Sequence, residues 1–410
     1  MDSGRAKMLT LEISMLITIT IIVFTIIQLS FPYKQNTYSA STTSSHTPCI
    51  TYYPTTRTIT IACRSAGLAD IYNQIHDGSI LSKLSSSSGT IWLLNAKLLI
   101  AKGATLHIDS TDTRWLKISS STGSTTTTST NTAATSRVNN IDVHGSLKID
   151  SVKITSWDPL TNNYAITNGT RHDIGVGKPE ATVPGIPRPY ITIEIDATGT
   201  TDITNSEIAY LGYEKGSFSG IGTAGLNYYG GEGSILRGNN IHDLYFGFYS
   251  SGVGRFLIEN NQIHHNTIYG LDPHTGAHDM IIRNNVVHDN GQFGIICSLN
   301  CNNITIENNE AYHDGNKNSG AGIMFSRNMI NSIARNNNVH DEPSAGISIS
   351  ASHDNQIYNN TISNSGVGIN LRGSSNNKIH DNTLVNSGKG IDTSADAGLS
   401  NIIYNNHFVK

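Results

Sequence analysis

Residues 281–295 read IIRNNVVHDNGQFGI and contain two phrases that recur along the second half of the chain. One phrase is a pair of asparagines shortly before His-Asp or a variant of it, and the other is a glycine followed by a hydrophobic residue. The asparagine pairs begin at Asn239, Asn260, Asn284, Asn308, Asn336, Asn359 and Asn405. The glycines recur in step, at intervals of 22 to 28 residues, at Gly247, Gly270, Gly294, Gly322, Gly346, Gly368 and Gly390.

A fixed period of this length is typical of a solenoid, in which each repeat packs on its neighbours. Each repeat contains short alternating runs of Ile and Val between Asn and Gly turns, and no apolar stripe of helix length. This pattern excludes a leucine-rich repeat with helices. The sequence therefore predicts an all-β protein, a parallel β-helix with about 22–24 residues per turn.

The glycines also predict which side chains face the interior. The residues directly after them form an inward stack that includes Phe248, Leu271 and Ile295. Because side chains alternate along a strand, the residues two and four after each glycine face outward. Asp272 and His274 are therefore expected on the same face of one strand. Most asparagines are interpreted as ladders that satisfy turn backbones, and four histidines as a corner ladder: His242, His264, His288 and His340.

Composition limits the class of protein. Of the 410 residues only 14% are charged and 37% are hydrophobic, which makes a leucine-rich helical bundle a poor fit. The net charge of −4 gives no global basic field, so we expect no nucleic-acid partner. A single domain and a monomer are expected, because a capped solenoid can stand alone.

The N-terminal stretch from Met15 to Phe31 is almost entirely apolar, with Arg5 and Lys7 upstream. It is long enough to span a bilayer, and upstream cations favour cytoplasmic retention of that end. We expect residues 1–33 to be a signal anchor that holds the rest of the chain at the extracytoplasmic or cell-surface side. A cleaved signal peptide and a secreted protein are the alternative. Residues 34–48 form a Ser/Thr-rich linker.

The remaining boundaries follow from composition and from the cysteines. Residues 49–86 are expected to form an N-terminal cap, with weak helical periodicity at 64–77, and residues 87–410 the β-helix, with loop insertions at 119–137 and 157–190. Export permits a disulfide between Cys49 and Cys63. Cys297 and Cys301 either pair or stay as buried thiols. No metal site is predicted, because none of the four cysteines has zinc-site spacing.

One repeat differs from the others in its chemistry. Residues 269–274 read YGLDPH and carry three titratable side chains, Tyr269, Asp272 and His274, together with a proline. A proline in a strand requires an edge, a bulge or a strand end. We therefore expect a sharp exit from the strand that places His274 at the rim. The alternative is a turn that merely contains polar residues.

This hexapeptide, on a β-helix with Asn-rich repeats, resembles the mannuronan (alginate) C5-epimerases, and the similarity covers about Ile191 to Ser394. The resemblance implies a right-handed parallel β-helix. It also implies an isomerase that removes the C5 proton, α to the carboxylate of a mannuronate, and returns a proton to the opposite face to give guluronate. Similar β-helices occur in periplasmic copper-binding-type proteins and in polysaccharide lyases.

By the family pattern, His274 and Tyr269 are the base and acid, in an order that the sequence leaves open. Asp272 then orients His274 or binds the substrate carboxylate. The family also uses a cation two repeats from the motif to neutralise that carboxylate. When the repeats are aligned on their glycines, this position falls near Lys317. Arg327 is the alternative cation.

Four residues are expected to contact substrate. Ser298 occupies the stacked position of the next repeat, where one branch of the family has an acid, and the other three are Arg327, His265 and Arg237. For His265, a place in the corner ladder is the alternative.

The expected partner is an acidic polysaccharide, with membrane contact through the N-terminal segment. No cofactor is predicted, and calcium dependence is not derivable from the sequence. Two other functions stay open: a polyuronate lyase that works by β-elimination, and a non-catalytic carbohydrate-binding surface protein. A metal-handling β-helix is disfavoured, because the six methionines are scattered rather than clustered.

Overall fold

The structure, a computed structural model, describes residues 48–86, 89–120, 138–166, 187–213, 224–398 and 400–410. The predicted anchor at 1–33, all but the last residue of the linker at 34–48, and most of the insertions at 119–137 and 157–190 lie outside these residues. Within the described ranges, no helix combines the length and apolarity needed to cross a membrane. The anchor and the membrane contact therefore stay predictions.

Three long sheets form the body of the protein, and successive strands of the chain pass through sheet I, sheet II and sheet III in turn. The pairs β1–β2 and β3–β4 are antiparallel, and the strands from β4 and β5 onward pair in parallel with the next turn. Sheet I consists of β1 (Ile50–Tyr53), β2 (Thr58–Ile61), β5 (Lys97–Ile100), β8 (Ile141–Val143), β11 (Ile191–Ile193), β14 (Gly225–Tyr228), β17 (Phe246–Ser251), β20 (Tyr269–His274), β23 (Phe293–Ser298), β26 (Ala321–Ser326), β29 (Ala345–Ser350), β32 (Val367–Arg372) and β35 (Lys389–Thr393).

Sheet II consists of β6 (Thr105–Asp109), β9 (Ser146–Asp150), β12 (Thr201–Thr204), β15 (Ile235–Arg237), β18 (Leu257–Glu259), β21 (Ile281–Arg283), β24 (Thr305–Glu307), β27 (Ile333–Arg335), β30 (Gln356–Tyr358), β33 (Lys378–His380) and β36 (Ile402–Tyr404). Sheet III consists of β3 (Leu81–Ser86), β4 (Gly89–Leu94), β7 (Trp115–Ser119), β10 (Lys153–Trp157), β13 (Glu207–Ala209), β16 (Asn240–His242), β19 (Gln262–His264), β22 (Val286–His288), β25 (Glu310–Tyr312), β28 (Asn338–His340), β31 (Thr361–Ser363), β34 (Thr383–Val385) and β37 (His407–Val409). The prediction of an all-β parallel β-helix is confirmed.

The interior is built by the alternation that the glycines predict. Leu271 pairs in register with Phe248 on one side and Ile295 on the other, and all three are fully buried. The next inward position is filled by Pro273, Cys297 and their counterparts in neighbouring strands, and it is also buried. The predicted inward stack is therefore confirmed for β17 to β32, and its last member, Ile391, is only half-buried.

The two asparagines of each pair have different structural roles. Asn260 and Asn284, each the first of its pair, adopt left-handed backbone conformations with φ of 57° and 55°, which turn the chain between sheets II and III. The second asparagine points inward and joins a ladder. Asn261 Nδ2 donates to Asn285 Oδ1 at 2.9 Å and to the Leu236 carbonyl at 3.0 Å. The ladder continues to Asn406, so the predicted role of these amides is confirmed.

The histidine corner ladder is confirmed as well. The rings of His242, His264 and His288 stack at centroid distances of 5.0 Å and 4.9 Å. The ring of Tyr312 continues the stack between His288 and His340, at centroid distances of 4.7 Å and 4.9 Å. The histidine pattern alone does not predict this tyrosine.

The N-terminal end contains the one helix of the described residues, α1 (Leu68–Ile75), which buries Leu68 and Ile71 and packs on β1 and β3. This helix falls within the segment 64–77 where helical periodicity predicts one. Cys49 and Cys63 form the expected disulfide. Cys297 and Cys301 are buried free thiols, which resolves the alternative left open by the sequence.

A second ladder, next to sheet I, changes from amides to acids. Asn290 donates its backbone N–H to Asp314 Oδ1 at 2.8 Å, and Asp314 donates its own to Glu342 Oε2 at 3.0 Å. Both acids are almost completely buried. Burial, followed by the charge of Asp314, raises the pKa of Glu342 well above its usual range.

We expect Glu342→Gln to raise the free energy of unfolding at neutral pH by about 1 kcal/mol, which is roughly what one pKa unit is worth. The pKa of Glu342 is higher in the folded chain than in the unfolded chain. The carboxyl group therefore favours folding most at pH values below its unfolded pKa, and this contribution is lost as the pH rises toward its folded pKa. The gain should therefore be larger at pH 7.5 than at pH 4.5 in urea unfolding. Glu310→Gln removes the charge of a partly exposed carboxylate that pairs with His340, so it is the control for loss of an ion pair near the surface. An equal effect of Glu342→Gln at both pH values would contradict the prediction.

Candidate active site

Strand β20 places Tyr269, Asp272 and His274 of the YGLDPH motif on the outer face of sheet I, with Gly270 as the point where alternation breaks. A Cβ atom at Gly270 would point into the interior and lie 2.5 Å from the Gly294 carbonyl oxygen and 2.9 Å from Val287 Cγ1. Leu271 also faces inward. Since two successive positions face the core, Tyr269 turns outward, to the same side as Asp272 and His274.

Pro273 lies inside the strand, and the expected sharp exit follows directly after His274. The strand runs through Pro273 to His274, and Pro273 is buried in the inward stack, opposite Ser250 of β17. Toward β23, Leu271 and His274 are paired, whereas Asp272 and Pro273 are not. This local irregularity accommodates the missing N–H. The chain turns at Thr275, where φ is 44°, so His274 does lie at the end of the strand.

Asp272 faces outward but is only 2% exposed. It lies beside Tyr249 in the pairing register, and Oδ1 has no hydrogen-bond partner among the described residues. Burial raises the pKa of Asp272 well above its usual range, and the charge of Arg327 opposes that rise only in part. A carboxyl group in this setting keeps its proton to a higher pH than an exposed one, and in its protonated form it can donate a hydrogen bond.

His274 is half-buried, with Nδ1 hydrogen-bonded to Thr275 Oγ1 and its ring 5.5 Å from the ring of Tyr249. Burial, and then the positive charge of Arg327, lower the pKa of His274. The imidazole is therefore neutral at pH 7, which is the form that accepts a proton.

Tyr269 belongs to an aromatic cluster on the same face. Its ring lies 4.8 Å from Phe246 and 5.4 Å from Phe293. Burial, followed by the charge of Asp272, raises the pKa of Tyr269, while Arg327 acts in the opposite direction. The phenol therefore keeps its proton at neutral pH. Neither Tyr249 nor this cluster is predicted as part of the site from the sequence, although Tyr249 stands in the same outward column as Asp272.

Arg327 is the cation that the structure brings to these three side chains. It follows β26 at the end of sheet I where His274 lies, and its charge lowers the pKa of Tyr269, Asp272 and His274 alike. Lys317 lies in an exposed turn before β26, between Asn316 and Ser319. Within the described part of the chain, no ion pair of Lys317 and no effect of its charge on the motif is present.

The other predicted contacts divide between two regions. Ser298 pairs in register with His274 and is 4% exposed. His265 lies at the corner between sheets III and I, where its Nδ1 is 2.7 Å from His264 Nδ1. Arg237 lies on sheet II and binds Glu259, with Nε 2.5 Å from Oε1. The structure thus brings Ser298 to the motif and separates Arg237 from it, on a different face of the β-helix.

Two family models match the chain, each over less than a third of it. Residues 191–317 match a right-handed β-helix region, and residues 296–410 match the periplasmic copper-binding protein family (NosD). Together with the parallel sheets, the first match supports the predicted right-handed parallel β-helix.

Curated relatives include mannuronan C5-epimerases of two Pseudomonas species. The protein of Pseudomonas putida is 30% identical over 230 residues, which is 54% of this chain and 40% of the relative. The protein of Pseudomonas syringae pv. tomato is 24% identical over 286 residues, which is 68% of this chain and 47% of the relative. The chain thus matches less than half the length of these relatives. The resemblance to C5-epimerases that the hexapeptide indicates is confirmed.

Solved structures show the same fold. The periplasmic alginate epimerase AlgG superposes with a TM-score of 0.63 at 20% identity, covering 86% of this chain and 85% of that one. The A-module of the mannuronan C-5 epimerase AlgE4 of Azotobacter vinelandii gives a TM-score of 0.55 at 15% identity, covering 78% and 85%. At these identities the likeness concerns the fold.

Proposed function

We propose that this protein epimerises uronate residues of an acidic polysaccharide at C5, on the outer face of sheet I around β20. The observation that carries the proposal is the position of Arg327, which directly follows Ser326, the residue that stands in register with Ser298 and, through it, with His274. The similarity to mannuronan C5-epimerases supports mannuronate in an alginate-like polymer as the substrate.

Substrate activation falls to Arg327 and Asp272. The C5 proton is weakly acidic while the adjacent carboxylate carries its full negative charge. The guanidinium of Arg327 neutralises that charge, and protonated Asp272 donates a hydrogen bond to a carboxylate oxygen. Both interactions strengthen as negative charge moves onto the carboxylate in the enolate-like transition state, so they lower the barrier.

Proton transfer falls to His274 and Tyr269. Neutral His274 uses Nε2 to remove the C5 proton, since Nδ1 is engaged by Thr275. Protonated Tyr269 donates its phenolic proton to C5 from the opposite face. The imidazolium and phenolate that result return to their starting forms by proton exchange with water. Ser298, beside His274, contacts the neighbouring sugar.

The proposed location is extracytoplasmic. The Cys49–Cys63 disulfide is typical of an oxidising compartment. The similar AlgG protein is described as periplasmic, and so is the family that matches residues 296–410. An extracytoplasmic site also gives access to an exported polysaccharide.

The decisive experiment incubates the full chain with polymannuronate in deuterated water, with and without calcium, and records proton NMR spectra. Guluronate signals with deuterium at C5 are expected, because Tyr269 delivers a solvent-derived proton. Unsaturated chain ends would indicate a lyase instead. A folded protein that produces neither signal would contradict catalysis on this polymer and favour a binding role.

Arg327→Met is expected to lower kcat/KM by about 100-fold or more, because one charged group that stabilises the transition state is lost. Since the Arg327 charge lowers the pKa of His274, its removal should also raise that pKa and shift the acid limb of the pH–rate profile to higher pH. Lys317→Met is the matched control and should retain activity within about 3-fold, as expected of an exposed loop lysine. A larger loss in Lys317→Met than in Arg327→Met would assign the cation to Lys317.

A further inference from the structure

The corner between sheets III and I repeats a His-Asp pair in which the imidazole binds the following carboxylate. Nδ1 of His242 lies 2.7 Å from Asp243 Oδ2, and His288 pairs with Asp289 at 2.8 Å. A later corner between the same two sheets contains the same pair, at His340–Asp341, and His380–Asp381 repeats it at a corner between sheets II and III, both at 2.7 Å.

The corner after β19 departs from this pattern. His264 is followed by His265 rather than by an aspartate, and the two Nδ1 atoms lie 2.7 Å apart. The next turn stacks directly on it, since the His265 N–H donates to the His288 carbonyl at 3.4 Å. The histidine at position 265, where the neighbouring corners have aspartate, therefore adds an imidazole beside the His288–Asp289 pair, in a half-buried position that solvent reaches.

These residues form a compact group of ligand atoms. One atom each from His265, His288 and Asp289 can be chosen so that all three lie within 4.8 Å of one another. In the part of the chain that the structure describes, no other group of three His, Cys, Asp or Glu residues meets this criterion. Small side-chain rotations bring such atoms to the spacing of neighbouring ligands around one ion.

We propose that His265, His288 and Asp289 bind a divalent first-row transition metal ion, with Zn²⁺ as the representative. Two imidazoles and one carboxylate suit such ions, whereas Ca²⁺ and Mg²⁺ take oxygen ligands. The His288 ring is held between His264 at 4.9 Å and Tyr312 at 4.7 Å, which fixes the orientation of a ligand. The bound ion ties two successive turns of the β-helix together.

This assignment differs from both expectations drawn from the sequence, which give His265 a substrate contact and predict no metal site. It is independent of the proposed epimerase activity, because none of the three ligands takes part in that chemistry. His265 precedes Tyr269 by four residues, so the ion fixes the turn that leads into β20.

The test uses the full chain without a histidine tag, stripped with a chelator. Calorimetric titration with Zn²⁺ should give one ion per chain in the tightest class of site. Binding should also raise the Tm, and Co²⁺ in place of Zn²⁺ should give visible absorption bands of a bound ion.

The informative variant is His265→Asn, because Asn364 and Asn386 occupy the equivalent position at later corners with the same left-handed backbone, so the variant should fold normally. It removes one imidazole ligand, so Zn²⁺ affinity should fall by about 100-fold or more, since even outer-shell changes cost 10–100-fold. His353→Ala removes an exposed imidazole that is paired with Asp354 elsewhere in the chain, and it should bind Zn²⁺ like the parent protein.

Two results would overturn the proposal. One is the absence of a stoichiometric site in the parent protein, including the case of several weak and equivalent sites. The other is a His265→Asn variant that is folded, as judged by an unchanged Tm without metal, and that binds Zn²⁺ as tightly as the parent.

Discussion

His274→Gln is expected to lower kcat/KM for polymannuronate by about 1000-fold or more, within the range that general-base catalysis contributes. Glutamine preserves much of the side-chain volume but cannot accept the C5 proton at neutral pH. The Tm should change by only a few degrees, because His274 lies at the outer end of β20 and its ring is not part of the interior. Activity is followed by proton NMR and folding by thermal melting.

Ser350→Ala is the matched control for this variant, because Ser350 stands in the same outward column three turns farther along sheet I. It should retain both activity and Tm. If His274→Gln unfolds the protein, His274 has a structural role. If the variant still exchanges the C5 proton for deuterium at the parent rate, His274 is not the base.

Ile295→Asp is expected to abolish folding, with a loss of about 4–5 kcal/mol or more in the free energy of unfolding. Ile295 is fully buried between Leu271 and Ile323 in the inward stack. A carboxylate there has no partner and no water, and it lies in the middle of the turns that carry the candidate site. Circular dichroism and urea unfolding measure the effect.

The same change at an outward position separates burial from residue type. Ile281 lies on sheet II and is 40% exposed, so Ile281→Asp should fold and unfold much like the parent protein. A soluble Ile295→Asp variant with the parent spectrum would mean that the residue after each glycine does not face the core.

The features that the sequence predicts well are those that each turn specifies locally and repeats. Leu271 and Ile295 follow from strand alternation after a glycine, and the Asn261 ladder follows from the recurrence of the same amide at each turn. Repetition makes a chance pattern improbable, because every turn tests the same register.

The features that the sequence does not specify depend on how separate turns meet. Asp272 stands in an outward column, yet it is buried because Tyr249 of the preceding turn lies beside it. Counting in register leads to Lys317, but the turn at Asn316–Ser319 is an excursion beyond the repeat, whereas Arg327 directly follows a strand of sheet I. Arg237 lies on sheet II, away from the motif. The chain passes from one sheet to the next every few residues, so a small error in the assumed position assigns a side chain to the wrong sheet.

The asparagine ladder also determines how a molecule of this kind can change in length. The side-chain oxygen of each ladder asparagine accepts a hydrogen bond from the backbone N–H of the ladder asparagine in the preceding turn, and its own backbone N–H donates to the one in the following turn. Every junction between turns therefore has the same pattern of donors and acceptors, and neighbouring turns are interchangeable there. Gain or loss of a complete turn leaves every junction intact. Loss of one residue puts an amide out of line and reverses the facing of a strand. Such a chain can thus be lengthened or shortened by whole turns. Each turn gained or lost changes the length of the proposed polymer that the outer face of sheet I can span.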